Sequence, residues 1–188
     1  MPVVPSLLEL QQEAASCTRC ALAGGRTQVV FGVGNPTADL VFVGEGPGAE
    51  EDKQGFPFVG RSGQLLDRLM WEEMGLTREH CYILNTIMCR PPGNRDPLPD
   101  ELAACRPWME QKLDLIDPKV VVTLGNFATK ALLGTSEGIT KVRGREYPFR
   151  RGVLVPTYHP SAVLRNMGGQ QMAQMRADLV RAKLALAA

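Results

Sequence analysis

Four of the five cysteines stand where thiolates could gather around one metal group. Cys17 and Cys20 form a C-x2-C pair, while Cys89 and Cys105 have fifteen residues between them. Four thiolates suit a tetrahedral zinc ion or an iron–sulfur cluster. Zinc sites more often use two close pairs, so the dispersed second pair leans towards a cluster. The plain alternative is that Cys89 and Cys105 are small core residues. Cys81, at the start of an apolar run after His80, reads as a spare buried thiol.

A second group lies where apolar runs end. Leu40–Val43 is stopped by Gly44-Glu45-Gly46-Pro47-Gly48, which is too rich in glycine for a helix and lets a ligand approach the backbone. It lacks both the dinucleotide fingerprint and the phosphate-loop lysine. Glu45 stands at the strand exit, whereas Glu50, Glu51 and Asp52 read as a solvated turn. Asn85 offers a donor and an acceptor from one planar amide, as reading a base edge requires, although a turn asparagine looks the same. Phe56 and Phe58, in a Gly/Pro loop before a helix start and Arg61, could stack on a planar ring near a phosphate. His159, one of only two histidines, emerges after another strand and could donate to developing negative charge. Leu164 beside Arg165 pairs an apolar wedge with a phosphate contact, although leucine is more often core.

The elements that must position these residues alternate. Ser6 caps a helix from Leu7 to about Ala15, and Ser62 caps another through Met74, with Gly75 as its stop. Asp100 caps a third that ends near Ile116, before Pro118. Asn126–Leu133 and Gln170–Leu186 are further helices. Core strands are expected at Leu40–Val43, Cys81–Met88, Lys119–Leu124 and Val153–Val155, with a peripheral hairpin around Val142–Tyr147 and a loop up to Gly60. Strand–helix repetition implies an α/β fold: three αβα layers around a four-stranded, mainly parallel sheet in one domain spanning 1–188. In such sheets ligands sit beyond the carboxyl ends of the strands. Those ends carry Gly44–Gly48, Asn85–Cys89, Gly125 and Tyr158–Pro160.

Length and composition narrow the class. The chain has 188 residues, 44% of them hydrophobic, enough for one sizeable core. No apolar run is long enough to span a bilayer, and no export signal is visible, so a cytoplasmic location is expected. The formal charge of +1 conceals an asymmetry: 1–118 carries about −7 and 119–188 about +8, which hints at an anionic partner for the latter.

In these residues the sequence resembles the uracil-DNA glycosylase superfamily, and most closely its family 4, the iron–sulfur enzymes of bacteria and archaea. CTRC, GEGPGAEED, PFVG, YILNTIMCRPP, PLPDELAAC, VVVTLG and HPSAVLR occur in order along nearly the whole chain. The resemblance implies a monofunctional glycosylase that flips uracil out of double- or single-stranded DNA and hydrolyses its N-glycosidic bond, initiating base excision repair. It implies a [4Fe-4S] cluster on Cys17, Cys20, Cys89 and Cys105. Glu45 and His159 would be catalytic, Gly46, Pro47, Phe58 and Asn85 would bind the base, and Ser161, Leu164 and Arg165 would meet DNA. A nucleoid-associated monomer with no membrane contact is the expected state.

Two departures matter. Glu45 stands where some sister glycosylases have aspartate or asparagine. The sister group that traps uracil-DNA covalently has glutamine at the position of Gly46 and a histidine-bearing loop that Gly93–Pro97 lacks, so turnover is expected. A cluster would carry the total charge to about −1, leaving the attraction for DNA to Arg165 and the Arg143–Arg151 stretch. The competing readings are a non-catalytic iron–sulfur nucleic-acid-binding member of the same fold and a zinc-binding α/β protein acting on a small nucleotide.

Overall fold

Three of the four central strands are apolar and buried along their whole length, as strands covered on both faces must be. The computed structural model describes residues 5–188. The strands are β1 (Val33–Gly34), β2 (Leu40–Gly44), β3 (Cys81–Asn85), β4 (Val120–Leu124), β5 (Tyr147–Phe149) and β6 (Gly152–Thr157). They form one six-stranded sheet in the order β1-β3-β2-β4-β6-β5. The four central strands run parallel and the two edge strands antiparallel, so the sheet is six-stranded rather than four-stranded. The edges escape sequence reading because they are two and three residues long.

The helices are α1 (Leu7–Ala14), α2 (Ala49–Gln54), α3 (Arg61–Leu69), α4 (Pro99–Ile116), α5 (Asn126–Leu133), α6 (Ile139–Val142), α7 (Pro160–Leu164) and α8 (Gln170–Ala187). Alternation along each strand divides the core into two faces. Leu40, Phe42, Val122 and Val155 meet Leu66 and Leu69 of α3 and Met175 and Leu179 of α8. Val41, Val43, Val121 and Leu154 meet Met109, Leu113 and Ile116 of α4 and Ala128 of α5. This is the expected three-layer arrangement.

Several boundaries differ from expectation. β3 stops at Asn85, not Met88, because the chain then turns across the end of β2: Thr86 N–H donates to Gly44 O (2.9 Å) and Ile87 N–H to Glu45 O (3.2 Å). The supposed loop to Gly60 contains α2, whose first turn carries Glu50, Glu51 and Asp52, favourably placed against the helix dipole. The hairpin is β5–β6, while Val142 ends α6. α3 begins at Arg61 and its continuation, Met70–Met74, is a π-helical turn closed by Gly75 at φ +67°. α4 begins one residue before Asp100, and Glu101, not Asp100, satisfies its start by accepting from Leu98 N–H (2.9 Å).

The basic stretch is largely neutralised internally. Arg143 pairs with Asp178, Arg150 with Glu110 and Asp114, and Arg151 with Asp39 and Asp117. Arg150 and Arg151 also sit in the β5–β6 turn, at the amino ends of the parallel strands and away from Asn85. Attraction for an anion at the carboxyl edge must come from other residues. No described helix is long and apolar enough to cross a membrane.

Candidate active site

Adjacent parallel strands place Glu45 and Asn85 side by side. Gly44 pairs with Asn85 in the β2–β3 register, and Thr86 Oγ1 also donates to Glu45 O, so the Glu45 backbone is tied to β3 beyond the end of the ladder. Asn85 is buried, and its Oδ1 is the one buried side-chain N or O atom, among the described residues, that has no hydrogen-bond partner. Such an orphan is costly unless a ligand supplies the donor. Gly44 makes the arrangement possible: a Cβ there would lie 2.5 Å from both Asn85 Oδ1 and Phe58 Cζ.

Phe58 is brought over this floor by a strained backbone. Its φ of +54° lies in the left-handed region, uncommon for a bulky residue and persistent only where surroundings hold it. Three things do so. Gly63 packs so closely that a Cβ would lie 1.7 Å from Phe58 O. Arg78 donates to Pro57 O (2.9 Å) and to Phe58 O, with its own Nε on Asp67 Oδ1 (2.7 Å). Glu51 Oε2 accepts from Val59 N–H (3.0 Å) and Gly60 N–H (2.9 Å), and Oε1 from Gly48 N–H (3.0 Å).

The solvated-turn reading of Glu51 and Asp52 is therefore corrected. Asp52 is buried and accepts from Thr27 N–H (2.8 Å), and Glu51 ties together two loops of the site. The spacing Gly48-x-x-Glu51, that of a helix-capping pair, was the available signal. Arg78 carried none. Glu51 thus holds the two N–H groups that precede α3, and Arg61, the first residue of that helix, is exposed at the cavity rim.

His159 leaves β6 as the N-cap of α7. Gly125, at φ +90°, gives it room: a Cβ there would be 2.9 Å from His159 Cβ. His159 Nδ1 accepts from Ser161 N–H (3.1 Å) and lies 2.8 Å from Ser161 Oγ. A backbone N–H only donates, so the neutral ring carries its proton on Nε2. Burial, reinforced by the charge of Arg165, pushes the imidazole pKa down to about 4, so it is neutral at physiological pH. The Phe58 and His159 rings lie 5.6 Å apart.

These groups share one cavity of about 490 Å³, the size range of small-ligand sites. Glu45, Gly46, Pro47, Phe58, Asn85, His159, Ser161 and Arg165 all line it with Arg61, joined by Arg95 and Asp96, which the sequence reading did not single out as site residues. Burial, and then the negative charge of Asp96, raise the Glu45 pKa above its ordinary value. Arg95 is held by two contacts to buried Glu101 (2.8 and 2.9 Å), which fixes the loop over the cavity. Leu164 is only partly exposed and packs against the core. Arg165, Asn166 and Met167 are the exposed side chains just after it.

The cysteines meet at a separate place. Cys17 and Cys20 follow α1, Cys89 follows β3 and Cys105 lies on α4. All four line one small space. Trp108 Nε1 donates to Cys17 Sγ (3.3 Å), and Arg26 Nη1 faces Cys89 Sγ (3.6 Å) while donating to Cys17 O (2.6 Å). Both donors are thus aimed at cysteine sulfur atoms of one cluster of side chains. Among the described residues no three Cys, His, Asp or Glu converge closely enough to hold a single ion. Cys81 is apart from them, buried, with its pKa pushed up to about 12 by burial.

Comparison with known proteins adds an independent line. A family model of the uracil DNA glycosylase superfamily matches residues 31–181. The type-4 uracil-DNA glycosylase of Thermotoga maritima is 45% identical over 94% of this chain and 93% of its own length. That of Sulfurisphaera tokodaii is 44% identical over 86% of this chain and 77% of its own, and that of Saccharolobus solfataricus 42% over 84% and 76%.

Proposed function

The chain belongs to the uracil-DNA glycosylase superfamily, and on that premise we propose that the cavity receives a flipped uracil and that its lining hydrolyses the N-glycosidic bond. The enzyme is a uracil-DNA glycosylase. The observation that carries the role of the site is the orphaned Oδ1 of Asn85. A uracil edge satisfies it: Oδ1 accepts from N3–H while the amide N–H donates to O4. Cytosine presents an acceptor at N3 and a donor at C4, the wrong pattern at both positions. Phe58 supplies the face on which the base stacks.

Extrusion costs roughly a few kcal/mol, less at a mismatch. As the C1′–N1 bond breaks, its electron pair passes to uracil and accumulates towards O2, while the sugar becomes oxocarbenium-like. The Nε2–H of neutral His159 donates to that oxygen, and Ser161 holds the ring in the required tautomer. Glu45, on the sugar side, stabilises the cationic centre, orients a water towards C1′ and accepts its proton as the C–O bond forms. Products are the uracil anion, protonated by solvent, and an abasic site.

Cys17, Cys20, Cys89 and Cys105 would hold the [4Fe-4S] cluster. When bound, it would supply a four-point tie between the segment after α1, the exit of β3 and α4, and no electron transfer that hydrolysis needs. Because Cys89 lies four residues beyond Asn85, that tie would steady the strand exit that carries the base-reading amide.

Incubation with an oligonucleotide bearing one uracil, followed by alkali, should break the strand at that position. Intact strands under varied conditions from iron-loaded protein would overturn the reading and leave a binding role. Arg165, exposed on the cavity rim, is placed to meet a phosphate. Arg165→Ala should weaken binding and reduce the slope of log affinity against log salt by about one. An unchanged slope would remove Arg165 from the backbone contacts.

A further inference from the structure

Among the described residues each buried carboxylate is answered by a guanidinium or a backbone N–H, while the one buried ammonium, Lys112, has no anionic partner. Glu101 is paired with Arg95, Asp178 with Arg143, and Asp52 accepts from the Thr27 backbone. Lys112 has 0% exposure and no carboxylate within reach among the described residues. Its Nζ donates to Phe31 O (2.7 Å) and lies 4.1 Å from the centre of the Phe31 ring. A carbonyl and a ring face do not compensate a buried ammonium, which normally requires a hydrogen-bonded anion.

The position of Lys112 suggests where that anion is. Cys105, Trp108 and Lys112 follow one another at helical spacings of three and four on α4, so they lie on one face. Trp108 on that face already donates to Cys17 Sγ. Burial pushes the Lys112 pKa down to about 7, and the groups that act against that shift are Cys105 and Cys89, with no acid among them. On the other side, Arg26 faces Cys89 Sγ.

We infer that Lys112 and Arg26 form a built-in positive shell that compensates the cysteine-held cluster, Lys112 from beneath and Arg26 from the rim. Four thiolates around a dipositive core leave a formal charge of about −2, which the two side chains, with Arg19 at the same space, would offset in part. Lys112 is a positioning and charge-compensating residue of the cofactor site, remote from the uracil cavity. The inference rests on the cluster reading given above, and it makes a claim that reading does not: the buried lysine is retained for the cluster, not for anchoring Phe31.

The test uses iron-loaded protein and two readouts unrelated to excision. One is the rate at which the visible absorbance near ~400 nm is lost to a ferrous chelator, and the other is the cluster reduction potential by voltammetry. Lys112→Met should lose the cluster about tenfold faster and shift the potential to more negative values, because a nearby cation favours the more negative, reduced form. Arg26→Gln, at a half-buried and more tolerant position, should move both readouts in the same direction and by less. Wild-type protein without iron or absorbance would overturn the cluster reading itself. A normal wild-type cluster with unchanged potential and loss rate in Lys112→Met would overturn the role of Lys112 and leave it an anchor of Phe31. Should Lys112→Met fail to accumulate as folded protein, Arg26→Gln decides: an unchanged potential there overturns the compensating shell.

Discussion

Asn85→Ala should reduce kcat/KM for uracil excision by about 10²–10³-fold while leaving thermal stability unchanged or slightly raised. Two hydrogen bonds to the base edge, each worth about 1.5–2 kcal/mol as charge moves onto uracil, amount to two to three decades at ~1.36 kcal/mol per tenfold. The stability half follows from the same atom. Oδ1 is buried with no partner in the protein, so deleting it removes a desolvation cost instead of a native bond. A residue retained at the expense of stability is retained for a ligand. Steady-state kinetics on single-uracil DNA, with thermal melting of the same preparations, checks both halves. A variant that melts much earlier would make Asn85 a structural residue, and near wild-type kinetics would take it out of the pocket.

How much of this was legible in the sequence depends on the distance over which each residue acts. Glu45, Asn85 and His159 were readable because a parallel sheet gathers its strand exits on one edge, and each residue directly ends or follows an apolar run. Cys17, Cys20, Cys89 and Cys105 were readable from residue type, and the structure brings all four to one space. Glu51 was not, since it looks like one member of an acidic run until the chain bends back and presents Val59 and Gly60 N–H to it. Arg78 was further out of reach: it acts on carbonyls twenty and twenty-one residues earlier, and the left-handed backbone it supports at Phe58 has no marker in a residue that normally avoids it. Lys112 was hidden by the opposite effect. On a helix with exposed charges, one more lysine reads as solvated, and only packing shows that it faces inward. Arg150 and Arg151 looked free for DNA because acids on α4 and at the amino ends of neighbouring strands are invisible in a local window.

His159→Ala should lower kcat by about 10²–10³-fold, the usual consequence of removing one donor from a developing oxyanion, and should leave the acid limb of the pH–rate profile where it was. The second expectation separates two residues that both titrate near the acid side. The imidazole, with a pKa pushed down to about 4, is already neutral on the plateau, so its loss lowers the plateau without removing a titration from it. Glu45 must be ionised to orient water and face the cationic sugar, so activity falls as pH drops through its pKa. Burial and then Asp96 raise that pKa, which puts the fall at a higher pH than an exposed glutamate would give. Arg61, Arg95 and Arg165 line the same cavity, yet the net direction at Glu45 is upward. Asp96→Asn removes the negative neighbour, eases ionisation of Glu45 and should therefore move the acid limb to lower pH with little change in the plateau. Profiles of kcat for wild type, His159→Ala and Asp96→Asn over about pH 4–8 distinguish the assignments. If the limb moved in His159→Ala and stayed fixed in Asp96→Asn, the titrating group would be the imidazole, and the division of labour between donor and base across the cavity would be reversed.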